Sequence, residues 1–473
     1  MSVVAPKFFS NSDTGAPSSS GTVGSLIEVL SSCLILRKMF TAVSGGSFVD
    51  NTTQARLEGG TAFTLFQGPT ASNDEAYFGL CRPFDRVKIT FATPGVHNAA
   101  VTLVWEYWNG SAWTSFTPTS DSLGGLTSSG AIKFGSLSGW ATTTVNSQAA
   151  YWIRLRFTAG SWTTNPTVDC CTLVGWQEAA SGTNTRTYRQ GGSLTYFWFV
   201  NDNGSGSEGA RETSITGYEV VGGTAIMPAT PVWTRKSQNL NGTANPWWVL
   251  ADDRTAYFST DDVSASPSRY NGTFMGEFYS YMGSADLWRI GLIGAGNETQ
   301  GQWNSDVNKG CKLCVVGGTS GFNSSAPTYG TTVSTRFGTY LARSYTGIGS
   351  YLIGNKVTNR VFTGWANLEQ DGTNYARVAG SGNHVITAGL KWPNLANGKF
   401  YFCPSWLLEP TPRVLRGKLR GFWFPCGSFG VAAHGDEFDG VGDLAGRRFK
   451  IVTENGGNRA HYALEISDTW ETN

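Results

Sequence analysis

This chain is short of charge. Only 15% of its 473 residues are Asp, Glu, Lys or Arg, and they cancel to a net +1; an ordinary soluble domain carries roughly 25%. So balanced a chain has no overall attraction to nucleic acid or to an anionic membrane. Histidine is also scarce. His97, His384, His434 and His461 are the full set, which argues against a multi-histidine metal centre. The opening MSVVAPKFF lacks the apolar core of a secretory signal. The longest apolar stretch near the start, residues 26–36, is interrupted by Glu28, Ser31 and Ser32, and a bilayer span needs about 20 residues. A chain made soluble in a cytoplasm, without membrane insertion, is expected.

Paired cysteine spacings are missing too. Of Cys33, Cys81, Cys170, Cys171, Cys311, Cys314, Cys403 and Cys426, only Cys311 and Cys314 form a C-x-x-C pair. A closed four-cysteine zinc site would have to recruit Cys403 and Cys426 from far along the chain, whereas zinc motifs supply paired spacings. Buried free thiols acting as small hydrophobes are expected instead.

Catalytic constellations are equally thin. Gly349–Lys356 has the two glycines of a phosphate loop, but Asn355 displaces the lysine and no Ser or Thr follows. Gly347-Ile-Gly349 lacks the third glycine of a dinucleotide motif, and Gly294-Ala-Gly296 has no strand–loop–helix frame. The acidic run His434, Asp436, Glu437, Asp439, Asp443 offers oxygen ligands on a Gly-rich loop, but its spacing matches no calcium template. Asp252, Asp253, Asp261 and Asp262 read as turn aspartates, although two carboxylates across a cleft could serve glycoside hydrolysis. No Gly-x-Ser-x-Gly elbow stands out with a matching histidine and acid. No enzyme activity, cofactor or metal is expected.

Glycine and aromatic residues are abundant: 60 Gly, and 18 Trp, 17 Tyr and 27 Phe that together make 13% of the chain. This mixture of turn formers and strand formers implies an all-β, multidomain protein of antiparallel β-sandwiches with Gly-rich loops. In VTLVWEYWNGSAWTSF, Val101, Leu103, Trp105 and Tyr107 alternate onto one face. In YWIRLRF, Tyr151, Ile153, Leu155 and Phe157 do the same, leaving Arg154 and Arg156 opposite. Asn109-Gly110 marks a hairpin turn between strands. Val87, Ile89 and Phe91 alternate in a further strand, and residues 172–176 offer another.

Residues 1–40 read as an extended Ser/Gly-rich arm followed by one short helix over 25–40, with Ser25 and Glu28 forming a capping box and Leu26, Leu30, Cys33 and Leu34 on one face. Residues 41–182 read as a β-sandwich domain, residues 183–305 as a second β domain and residues 306–473 as a C-terminal β-rich domain. In the second, LTYFWFV at 194–200 is apolar on both faces and implies a central, fully covered strand. Further strands are expected at residues 247–250, 255–259, 287–293, 400–402, 414–419, 422–424 and 449–452. Tryptophans crowd the sandwich. Trp105 falls on the core face, whereas Trp108 and Trp113 flank the turn and are the candidate exposed ligand contacts.

The ordered set WEYWNGSAWTSF, Gly139-Trp140 and YWIRLRF resembles a β-sandwich module of tailed-bacteriophage tail and baseplate proteins, over about 140 residues. NSDTGAPSSSGTVGSLIEVLSSCLI, PWWVLADDRTAYF, MGEFYSYMGSADLWRIGLIG and VLRGKLRGFWFP also look like stretches of tailed-phage virion proteins. The resemblance implies a structural component of a bacteriophage particle, in the tail or baseplate. It would be made in the host cytoplasm and end in the virion. Its partners would be other virion proteins and copies of itself in a trimer or hexamer. Phe8, Phe9, Leu26, Leu30 and Leu34, on the arm and helix, are then the candidates for lacing subunits together. The alternative is a receptor- or carbohydrate-binding protein at the tail tip, touching a host surface glycan through Trp108 and Trp113. A tail-associated depolymerase using carboxylates is a third possibility.

Overall fold

The computed structural model describes residues 5–71, 73–191, 196–203, 212–221, 224–226, 233–236, 246–262, 269–277, 279–280, 290–294, 311–316, 338–341, 360–363, 366–369, 402–409, 414–425, 435–453, 461–467 and 470. Strands dominate them, and every ladder between named strands is antiparallel. The fold is all-β, as the composition implies.

The best-developed unit is a sandwich. One sheet runs in the order Phe48–Asp50, Lys38–Ala42, Asp74–Leu80, Gln148–Thr164, Val96–Trp108, Trp113–Phe116, with Thr142–Val145 also pairing to the Gln148–Thr164 strand. The other runs Phe63–Thr64, Thr167–Thr172, Arg86–Thr93, Gly130–Lys133, Ser120–Asp121. Period-two alternation decides the faces. Ile153, Leu155 and Phe157 lie opposite Tyr107, Trp105 and Leu103 and share one core with Val87, Ile89, Ile132 and Val168 of the second sheet. The alternate positions, Trp152, Arg154 and Arg156, therefore turn to the outside of the sandwich. The 172–176 strand ends at Thr172.

Two glycines let these long strands pack. A Cβ on Gly79 would lie 2.6 Å from the Trp152 ring, so only glycine lets that indole lie across the sheet. Gly160, at φ +94, sits among the register shifts of the Gln148–Thr164 strand, and a Cβ there would meet the Ala100 carbonyl.

The N-terminal segment differs from a free arm. Lys7–Ser10 is a strand paired with Trp247–Ala251, at the edge of a sheet that continues through Thr255–Asp262, Arg269–Glu277, Ile290–Gly294, Cys311–Val316 and Gly338–Leu341. Helix α1 spans Ser25–Leu34 and stops well short of residue 40, because Lys38–Ala42 is a strand of the sandwich. Ser25 forms no capping box. Gly24, at φ 79, is the N-cap, and the amide of Leu26 donates to Asp202 Oδ2 at 2.8 Å. Glu28 instead takes Arg37, Arg56 and Ser32. Arg56 ends a second helix, α2 (Thr52–Arg56), that the sequence reading did not foresee.

A boundary at residue 182 runs through a hairpin. Gln177–Ser181 and Thr185–Arg189 pair with each other and begin a sheet that continues through Tyr196–Asp202, Glu212–Val221 and Thr224–Ile226, with Trp233–Lys236 beside the fourth strand. In the Tyr196–Asp202 strand, Trp198 and Val200 are buried while Phe197 and Phe199 are half-buried, so it is central in its sheet but not covered equally on both faces. One contiguous core runs from Phe9 and the α1 side chains through the sandwich to Trp198, Trp247 and Met275, so units expected to be separate share a single apolar interior.

The C-terminal sheet contains Tyr279–Ser280, Val414–Pro425, His461–Glu465, Arg448–Thr453 and Glu437–Asp439, with Phe402–Glu409 against the second of these. The strands expected at 414–419 and 422–424 are one strand, kinked at Gly421 (φ +63), where a Cβ would strike the Trp470 indole. Residues 287–289, 400–401 and His434 lie outside the described residues.

Candidate functional site

The outer face of the sandwich carries a dense arrangement of aromatic and charged side chains. Phe40, Tyr77, Trp152 and Trp113 come from four strands of one sheet and form an apolar cluster separate from the main core. Trp152 packs on Phe40 with centroids 5.5 Å apart, and Tyr77 meets Trp152 and Trp113 edge-on at 6.3 and 5.7 Å. Phe48, on the edge strand, adds edge-on contacts to Phe40 (6.1 Å) and Tyr77 (5.6 Å). Such geometry matches the ring quadrupole and contributes about 0.5–1.5 kcal/mol per pair beyond burial. Two indole N–H groups are fixed by backbone carbonyls: Trp152 Nε1 donates to Thr143 O at 3.1 Å and Trp140 Nε1 to Trp152 O at 3.2 Å.

Beside the rings runs a ladder of alternating charge. Arg154 donates through Nη1 to Glu75 at 2.8 Å and through Nε to Glu106 at 2.6 Å. Arg156 reaches Glu106 with Nε and Nη2, both at 2.8 Å. The Glu106 side chain is 7% exposed, and its three charge-assisted bonds offset the loss of water. Hydrogen bonding to Glu106 raises the pKa of Arg156. Burial, reinforced by the bond its hydroxyl donates to Glu75, pushes the Tyr77 phenol well above its ordinary range. The Arg154 guanidinium lies 4.4 Å over the Trp113 ring, joining ladder and aromatic layer.

Trp108 and Trp113 are directly opposite each other across the predicted hairpin, edge to face at 5.8 Å. Both are half-buried. The loop holds four residues, closed by the Asn109 amide donating to Ala112 O, while Asn109 Oδ1 accepts from the amides of Ser111 and Ala112. Arg154 occupies one face of Trp113, and Tyr77 and Trp108 meet the ring edge-on, which narrows the surface it offers to a ligand.

The lacing candidates sit elsewhere. Phe9, Leu26, Leu30 and Leu34 are buried within their own chain, so in this conformation they offer nothing to a neighbour. Phe8 is half-buried, stacked on Trp248 at 6.2 Å and capped by Lys450 Nζ at 4.6 Å. Half of the exposed large apolar side chains among the described residues lie on the Lys38–Ala42/Phe48–Asp50 hairpin: Val43 (41%), Phe48 (37%) and Val49 (47%), three of six.

Asp252 and Asp253 are buried. Asp252 binds Arg420 Nη2 at 2.7 Å and caps the amides of Arg254 and Thr255, a structural role. The side chains of Asp261 and Asp262 lie outside the described residues. Among the described residues no three His, Cys, Asp or Glu side chains converge on a metal-sized site. Cys33, Cys81, Cys170 and Cys171 are free and buried. Burial pushes Cys81 and Cys170 up to about 12 and Cys33 and Cys171 well above the usual thiol range.

Sequence reasoning missed the outer-face set of Phe40, Tyr77, Trp152, Glu75 and Glu106. One signal was available: Trp152 shares the parity of Arg154 and Arg156, so that face was never purely polar. Comparison with protein families, with curated proteins and with solved structures found no match to this chain.

Proposed function

We propose that this chain is a structural subunit of a tailed-bacteriophage particle, in the tail or baseplate, and that it associates with copies of itself through the outer face of its sandwich. The observation that carries the assembly part is Phe48, exposed on the edge hairpin and in edge-on contact with Phe40 and Tyr77 of the rigid outer-face layer, while Val43 and Val49 are exposed on the same hairpin. An aromatic centre with a charged border suits a protein contact. The edge strand Phe48–Asp50 is three residues long and exposed throughout, so it offers side chains rather than a long backbone edge to a neighbour. The phage assignment rests on the resemblance of the WEYWNGSAWTSF and YWIRLRF stretches. A glycan-binding role has less support, because Arg154 covers Trp113.

Light scattering of the purified protein tests this. A discrete trimer or hexamer that falls to monomer on Phe48→Asp, with an unchanged circular dichroism spectrum, supports the reading. A wild-type protein that stays monomeric and fails to enter particles overturns it.

A further inference from the structure

A cyclic trimer or hexamer joins two different surfaces at each contact, because its rotation is not a two-fold. The Lys38–Ala42/Phe48–Asp50 hairpin supplies one surface, and the same sheet offers a second at its opposite margin. There the Val96–Trp108 strand pairs on one side with Gln148–Thr164, but its other neighbour, Trp113–Phe116, reaches only residues 105–108. Among the described residues no strand pairs with 96–104 on that side. We propose that this open edge is the seat for the Phe48 hairpin of a second copy of the chain, so that copies join head to tail. The proposal rests on the assembly reading above and names the surface that the hairpin meets.

Three features suit the edge to that occupant. Residues 98–104, NAAVTLV, hold no charge and no proline, so two of the devices that keep a free edge from pairing are missing. Register shifts against Gln148–Thr164 bend the strand there without supplying a neighbour. Val101 and Leu103 pack against the sandwich core yet are only half-buried, whereas Leu155 and Phe157 on the adjacent strand are fully buried. A body seated on the edge would complete their cover. Val96, Ala99 and Ala100 are exposed and uncharged, and the hairpin brings apolar Phe48 and Val49 to them. The Lys38–Asp50 pair beside Phe48 is already closed at 3.2 Å, so neither member carries an unpaired charge into the contact. Pairing of two such edges with each other would instead be a two-fold contact, which makes a dimer and closes no ring.

Cross-linking of the full chain tests the seat. In an assembled Val49→Cys/Ala100→Cys double variant, a short bismaleimide should join position 49 of one copy to position 100 of another, read by peptide mapping of the cross-linked band. Ala100→Lys charges the edge at an exposed position and should scatter light as a monomer with a native circular dichroism spectrum. Thr102→Lys, also exposed, takes its place if that spectrum is lost. Cross-links only between like positions, none at all in an assembled protein, or a charged edge that assembles as the wild type does would each overturn the seat. Those outcomes leave the assembly reading standing, because the oligomer is still present. A monomeric wild-type protein would also overturn the seat, by removing the oligomer on which it rests.

Discussion

Neutralising Asp252 should loosen the C-terminal sheet from the body of the protein. Arg420 and Asp252 are 1% and 0% exposed and 2.7 Å apart. The pair joins the Val414–Pro425 strand to the turn between Trp247–Ala251 and Thr255–Asp262. Arg420 also donates to Thr255 Oγ1 at 3.0 Å, and its carbonyl accepts the Tyr257 hydroxyl at 2.5 Å. Asp252→Asn keeps the shape and leaves the guanidinium without its counter-charge. Breaking one side of a buried pair costs about 3–5 kcal/mol, which is roughly 10²- to 5 × 10³-fold in an opening equilibrium. Hydrogen exchange read by mass spectrometry suits a chain with several sheets, where a single unfolding energy is ill defined. Exchange in 414–425 should accelerate by that factor, while 74–80 in the sandwich should not change. Asp252→Asn combined with Arg420→Met removes both charges and should recover most of the protection. If the single variant exchanges at the wild-type rate, or the double variant is as loose as the single, the pair does not hold the sheets together.

Other outcomes follow from the same contacts. Gly79→Ala would press a methyl into the Trp152 ring and should cost about 1–3 kcal/mol, read as a lowered thermal midpoint. Burial works to raise the Glu28 carboxyl, but Arg56 and Arg37 hold it below its ordinary value. Its contribution to stability is thus complete above the unfolded pKa and fades as pH falls through the lower folded one. Arg56→Met should flatten that acid limb in thermal melts from pH 6 downward, by roughly one titrating group. The thiols of Cys33, Cys81, Cys170 and Cys171 should escape iodoacetamide in the native protein and react on unfolding, as peptide mapping would show. Trp113→Ala removes the cover of Arg154 and one contact of Tyr77. A loss of about 1–2 kcal/mol is expected in denaturant midpoints.

Alternation of side chains made the sandwich readable. The face of Ile153, Leu155 and Phe157 and the turn at Asn109 follow from local pattern, because each strand must bury one side and each reversal needs a permissive residue. Long-range pairing left no such trace. Nothing in KFFS points to Trp247–Ala251 as its partner, and nothing in SLIEVL reveals that Asp202 supplies the missing cap. The outer-face ladder was half visible. Arg154 and Arg156 were assigned opposite the core, but Glu75 and Glu106 are brought to them only by strand register.

The pairing of Lys7–Ser10 with Trp247–Ala251 also sets a timetable for biosynthesis. Phe9 is fully buried beside residues that the ribosome adds much later. At about 5–20 residues per second, roughly 240 residues separate the two strands by some 12–48 s. Throughout that interval Phe8 and Phe9 are without their sheet, while the neighbouring sandwich residues have already emerged. Until Lys7–Ser10 docks, the strand WWVLA has a bare edge, open to another nascent chain. Lys7–Ser10 thus waits for roughly 240 residues before it is fastened, and it then covers one edge of that sheet.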